Sequence, residues 1–356
     1  MSVEIREIEP RRPRPGRRVF SSRLFKLAFS VLVAVVSFVI VVGVVEGMHW
    51  IRVRNGGSLE GAAIRFDPLL GWAPDEGRFI HGHGEVRINA AGFRSPELVP
   101  HRPTIAMLGD SIAYGLGHAN RDTPSTYLER LVAPRGYQVQ NLSAPGYGTD
   151  QSYLRLRERI DELPGLTWVI LVVCADNDLW NLTSNEGEGK RKPLFVWSGD
   201  DIELTGVPIS PNDPRNHLDS SPLGWWAWTA FHLGPSGSEW LPRWIGDRSI
   251  GDQQAKRVAV RLVEKMAHLS SSRGAAFSAV IVPHALELDN DPEWTRVWRG
   301  ILTEADVEWF DFRQHLVERG LTEGVFMEWD GLHLTERGCD LLAHYIYENA
   351  PASVRE

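Results

Sequence analysis

The chain has 356 residues, 43% of them hydrophobic and 24% charged, and a net charge of −8. Those proportions exclude a disordered or fibrous polymer and leave room for one large core with appendages. Charge is unevenly spread: ahead of Leu27, eight Arg and Lys stand against three Glu, a local +5 that leaves −13 for the rest. An acidic bulk repels phosphate and argues against nucleic acid as a partner, whereas the basic tail suits anionic lipid headgroups.

In chain order, the first element is an uncharged run of 19 residues, Leu27 to Val45, rich in Val, Ile, Leu and Phe. As a helix it would be about 28 Å long, close to the hydrocarbon thickness of a bilayer. A cleavable signal peptide is the competing reading, but its apolar stretch is usually shorter and ends at small residues, unlike Val44-Val45-Glu46-Gly47. The reading is an uncleaved transmembrane helix over 27–45, with a basic cytoplasmic tail over 1–26 and the bulk of the protein outside. Residues 48–103 form a Gly- and Pro-dense preface with short strand-like pieces such as Gly84–Ile88.

From residue 104 strands and helices alternate. Strands are expected at 104–109, 137–142, 167–173, 277–282 and 307–310, and helices at 123–133, 149–163, 252–273 and 335–349. Continuous apolar strands between helices imply a parallel sheet covered on both faces, with functional loops gathered at the carboxyl ends of the strands. An insertion over 183–250 breaks the rhythm. It opens with a hairpin around Ser198-Gly199-Asp200-Asp201 and continues with Trp225, Trp226, Trp228, Phe231, Trp240 and Trp244, a cluster suited to core packing, to a lid that shapes the pocket, to an acyl or sugar platform or to a membrane-facing surface. Cys174 and Cys339 are read as buried free thiols, and His81 and His83 as parts of a solvated turn and not as metal ligands.

Gly109-Asp110-Ser111 follows the first strand, where glycine permits a sharp strand-to-helix turn that exposes the serine hydroxyl. Serine needs a base to become a nucleophile, usually a histidine held in one tautomer by a carboxylate. Asp330 and His333, three residues apart near the far end, supply that pair. Acyl transfer also needs donors for an oxyanion. Gly146, after the second strand, would offer a backbone N–H, and Asn177, after the third, an amide. His284 competes with His333 as base but lacks a carboxylate three residues before it. Asp110 and Asp178 read better as turn-fixing residues. The bland alternatives are helix capping for Ser111, a turn for Gly146 and a purely structural Asn177.

These four blocks, Gly109-Asp110-Ser111, Gly146, Asn177-Asp178 and Asp330-Gly331-Leu332-His333, resemble those of the SGNH (GDSL) hydrolase family, in the family's order. Gly92-Phe93-Arg94 and Pro145–Thr149 are similar to pieces of its bacterial membrane-anchored members. Ala175 stands where that family usually has glycine, and Ile112 where leucine is usual. The resemblance spans about 104–349. It implies a catalytic domain over 104–350 with a flavodoxin-like three-layer α/β/α sandwich and a five-stranded parallel sheet. It also implies ester hydrolysis or acyl transfer with no cofactor and no metal. On that reading Ser111, His333 and Asp330 form a triad, and Ser111, Gly146 and Asn177 hold the oxyanion. The substrate would be a small-molecule or glycan ester. Esterase, O-acyltransferase toward envelope polysaccharide and non-catalytic polysaccharide binding remain the three alternatives.

Overall fold

Five apolar segments pair into one parallel sheet: β1 (Thr104–Leu108), β2 (Gln138–Asn141), β3 (Leu166–Cys174), β4 (Ala276–Val282) and β5 (Glu308–Asp311). The computed structural model describes residues 22–54, 64–81, 84–187, 190–211, 251–290 and 292–356. Strand order is β5-β4-β3-β1-β2, the flavodoxin-like arrangement expected. Its register sets Met107 beside Ile170, Leu171 beside Ala279, and Ile281 beside Asp311.

Alternate residues of each strand feed two separate cores, which is why the strands read as unbroken apolar runs. Ala106, Leu108, Val169, Leu171, Val173, Ala279 and Ile281 pack to one side. There they meet the helices α2 (Thr149–Arg159), α3 (Asp252–Ser271) and α4 (Glu293–Glu304) through Leu154, Val258, Leu262 and Trp298. Ile105, Met107, Ile170, Val172, Val280 and Val282 pack to the other side. There α1 (Pro124–Val132) and α5 (Glu336–Glu348) contribute Leu128, Val132, Leu342 and Ile346. Observed boundaries lie within two residues of expectation except for the second helix. Its α-helical part stops at Arg159 and continues as a 3₁₀ turn over Ile160–Glu162.

The preface forms two antiparallel pairs, Ile64–Asp67 with Gly71–Pro74 and Gly77–His81 with Gly84–Ile88. The hairpin expected at the start of the insertion pairs Leu194–Ser198 with Asp201–Thr205. The tryptophan cluster at 225–244 lies outside the described residues. Both cysteines are buried and unbridged, as expected.

The chain divides into two units, Met1–His49 and Trp50–Glu356. Toward the amino end, the helix Ser22–Arg54 contains the stretch Phe25–Val45, long and apolar enough to cross a membrane. Phe25, Phe29, Val33 and Phe38 along it are all exposed.

Within the larger unit a buried arginine joins preface to sheet. Arg94 donates to the carbonyls of Tyr114 and Gly115 at 3.0 and 2.8 Å, and also to that of His118. Its guanidinium lies 4.4 Å from the centre of the Tyr114 ring. Replacing it would strand several carbonyls away from water, at about 1–3 kcal/mol each. Arg94→Leu should therefore lower unfolding free energy by about 3 kcal/mol or more, measured by urea denaturation. Arg94→Lys should recover only part of that, having one point of donation instead of a fork.

Candidate active site

The carboxyl end of β1 turns at once into a short helix. Gly109 adopts φ +144°, and a Cβ there would sit 2.5 Å from the Val172 carbonyl oxygen on the adjacent strand, so only glycine fits. Asp110 then caps the short helix Ser111–Tyr114, its carboxylate accepting the Ile112 N–H at 2.9 Å. Asp110 is thus turn-fixing, as expected. Ser111 sits at the first helical position, only 6% exposed, at the carboxyl edge of the sheet.

Asp330 and His333 reach Ser111 from a closed loop between β5 and α5. Phe326 and Leu334 bridge its ends, and the Met327 N–H donates to the His333 carbonyl at 2.7 Å. One Asp330 carboxylate oxygen accepts the N–H groups of Leu332 and His333, at 2.9 and 3.1 Å. The other meets His333 Nδ1. His333 Nε2 lies 2.9 Å from Ser111 Oγ, across 222 positions of sequence. Burial alone would raise the Asp330 pKa. The hydrogen bonds from His333 and the two backbone N–H groups outweigh it and hold the carboxyl below its ordinary value.

Gly146 and Asn177 occupy the loops after β2 and β3, whose strands both run beside or next to β1. Gly146 is buried at φ +72°. The preface holds its loop from two sides: Trp72 Nε1 donates to the Pro145 carbonyl at 2.8 Å, and the Tyr147 hydroxyl donates to the Trp72 carbonyl at 2.7 Å. Asn177 stands at the N-cap position of the short helix Asp178–Asn181, with no capping bond from its side chain. Asp178 accepts the Cys174 N–H at 3.0 Å and so fixes the end of β3, the structural role expected of it. A buried ion pair ties both loops to the insertion. Lys192 pairs with Asp150 with both side chains wholly buried, and also donates to the Asn181 carbonyl at 2.9 Å.

Two features escape motif reading. His284 is not a base. Its Nδ1 accepts the Leu286 N–H at 3.0 Å, which leaves Nε2 to donate to the Asp330 carbonyl at 3.1 Å. Beside it, the Ala285 N–H donates to the Gly331 carbonyl at 2.8 Å, so the end of β4 grips the 330–333 loop by two carbonyls. Trp329 is 74% exposed, and its indole stacks on His333 with ring centres 5.6 Å apart and planes 18° from parallel. The sequence offered no signal for either contact beyond adjacency to Pro283 and to Asp330.

Asp110 and Asp178 are both buried, and burial raises both carboxyl pKa values, Asp178 well above its ordinary value with the Asp110 charge adding to the effect. A pKa raised by folding means that Asp178 stabilises the fold most below the unfolded value, about 4. That contribution is lost as pH climbs through the folded value. Asp178→Asn cannot ionise and still offers the Cys174 N–H an acceptor. Its unfolding free energy should match wild type at pH 4 and exceed it at pH 8. His284→Ala should separate loop support from base chemistry by reducing kcat about tenfold, far less than loss of a catalytic base. Steady-state rates against a simple acetate ester would measure this.

A parallel sheet in this order thus carries a hydrogen-bonded Ser-His-Asp set at its carboxyl edge. The chain matches the GDSL-like lipase/acylhydrolase family over residues 107–341 and belongs to it; it is an ester hydrolase of that family. No curated protein matches it by sequence. Among solved structures it is similar to the lipase/acylhydrolase from Enterococcus faecalis, at 15% identity over 69% of this chain and 94% of that one, TM-score 0.40. It is also similar to the psychrotrophic esterase EstA from Pseudoalteromonas sp., at 12% identity over 69% and 94%, TM-score 0.38. A third similar structure is TesA, at 14% identity over 69% and 96%, TM-score 0.39.

Proposed function

We propose that the protein is a single-pass, membrane-anchored serine esterase whose catalytic domain, about 104–350 behind the preface 48–103, faces away from the cytoplasm. The observation that carries the reading is the hydrogen-bonded line Asp330–His333–Ser111. Ser111 Oγ attacks the ester carbonyl carbon while His333 Nε2 takes the hydroxyl proton, and Asp330 steadies the resulting imidazolium. Negative charge on the carbonyl oxygen is met by the N–H groups of Ser111 and Gly146 and by the Asn177 amide. The carbon–oxygen bond to the alcohol then breaks, and His333 returns its proton to the departing alkoxide. A water molecule, deprotonated by the same imidazole, releases the carboxylic acid and restores the serine.

The basic segment before Leu27 supports a cytoplasmic amino terminus. A periplasm-active reporter fused after Glu356 should be active, with the mature protein keeping residues 1–45. Ser111→Ala and His333→Ala should each reduce turnover by several orders of magnitude, and the double variant by no more than either alone, because the two act as one unit. Asn177→Ala should cost on the order of 10²–10³ in kcat. A serine-directed phosphonate should label Ser111 in wild type, seen by peptide mass, and fail to label it in His333→Ala. Wild-type turnover from Ser111→Ala would end this reading.

A further inference from the structure

Resting on the serine-esterase reading above, we infer that Trp329 is the platform for the alcohol half of the substrate, and that this alcohol is a neutral pyranose. The side of the site follows from the chemistry. The imidazole that protonates the leaving oxygen must touch the alcohol side of the ester, whereas the Gly146 and Asn177 loops take the acyl side. Trp329 stacks on that imidazole and on no other ring among the described residues, with 74% of its surface open. One indole face covers His333, and the rest is available to whatever is bonded to the leaving oxygen.

The kind of alcohol follows from how open that surface is. A fatty alcohol gains little from a single exposed wall, because its far side stays in water. It needs a groove that encloses it. A pyranose suits one wall: its axial C–H groups lie flat on an aromatic face while its hydroxyls remain hydrated or find acceptors. An acceptor is close along the chain, for Glu328 immediately precedes Trp329 and is exposed. Its carboxylate has no ion pair among the described residues. The −13 of the chain beyond the basic tail disfavours a uronic acid or other anionic sugar, so the ring is neutral.

The test compares two acetates that differ only in the alcohol, methyl 6-O-acetyl-glucopyranoside and n-hexyl acetate, with the full-length protein in detergent micelles. Because the acyl group is shared, any disturbance of His333 by a Trp329 substitution affects both esters and cancels in the ratio of their kcat/KM values. Trp329→Ala should lower the sugar-to-hexyl ratio about tenfold, mostly through KM of the sugar ester, the scale expected of one aromatic contact. Trp329→Phe, which keeps a flat face, should hold the ratio within about threefold of wild type. A ratio unchanged in Trp329→Ala would reduce the indole to a cover for His333 and overturn the inference. A ratio that rises would assign the surface to an aliphatic alcohol instead. Phosphonate labelling, run in parallel, separates the two levels of failure. If wild type cleaves hexyl acetate and is labelled at Ser111 but ignores the sugar ester, only the pyranose assignment falls. If it is neither labelled nor active on either ester, the serine-esterase reading falls first.

Discussion

A single hydrogen bond, from Ser111 Oγ to His333 Nε2, has to hold together two residues that are 222 positions apart, and much of the molecule near the sheet edge keeps that span short. On one side, β1 delivers the serine through a turn only glycine can make, packed against the Val172 carbonyl. On the other, the 326–334 loop is closed on itself and held by His284 and Ala285 at the end of β4. Because β4 is bonded to β3, and β3 to β1, the sheet is the ruler that sets the distance. Packing of two cores against its faces keeps that ruler stiff.

Polar groups buried around this edge act as fasteners. Asn141, at the end of β2, donates its amide to the Ala113 carbonyl at 2.8 Å and to Ser125 Oγ at 3.0 Å, while its own N–H donates to Ser95 Oγ at 2.9 Å. Nucleophile helix, second strand and preface are thereby one network, and Arg94 extends it to the loop beyond Gly115. Such groups cost free energy to bury and return it only when every partner is in place. They therefore favour one arrangement of the loops more than they add to stability. The preface belongs to this frame, since its Trp72 carries a hydrogen bond to the Gly146 loop.

The sheet and the helices α1, α2, α3 and α5 were legible because their signals are local, as were the motifs that bring Ser111, Asp330 and His333 together, whereas α4 was not expected. β1, β3 and β4 are covered on both faces and so show unbroken apolar runs. The edge strand β5 was placed one residue early because its pattern is weak, with Glu308 exposed and Trp309 and Phe310 half-buried. What could not be read depends on partners far away in sequence. A lysine in a hairpin argues for solvent, yet Lys192 is wholly buried because Asp150 waits for it. His284 looked like a spare base, and only the fold shows its ring occupied at both nitrogens by backbone groups. Trp329 is equally silent, since stacking on His333 requires the 330–333 turn to bring the rings together.

The Lys192–Asp150 pair also limits how this enzyme can diversify. Loops that shape substrate choice usually vary by insertion and exchange, as free modules on a fixed scaffold. Here the start of the insertion is wired to that scaffold through Lys192, a charge with no access to water, so removing it whole would leave Asp150 buried without its counter-charge, where burial already pushes the carboxyl pKa up. Evolution of specificity in this architecture is thus channelled outward. The segment up to Pro193 belongs with the machinery, and the hairpin after it is anchored as well, with Phe195 buried in the core and Asp201 held by Arg261 and Lys265.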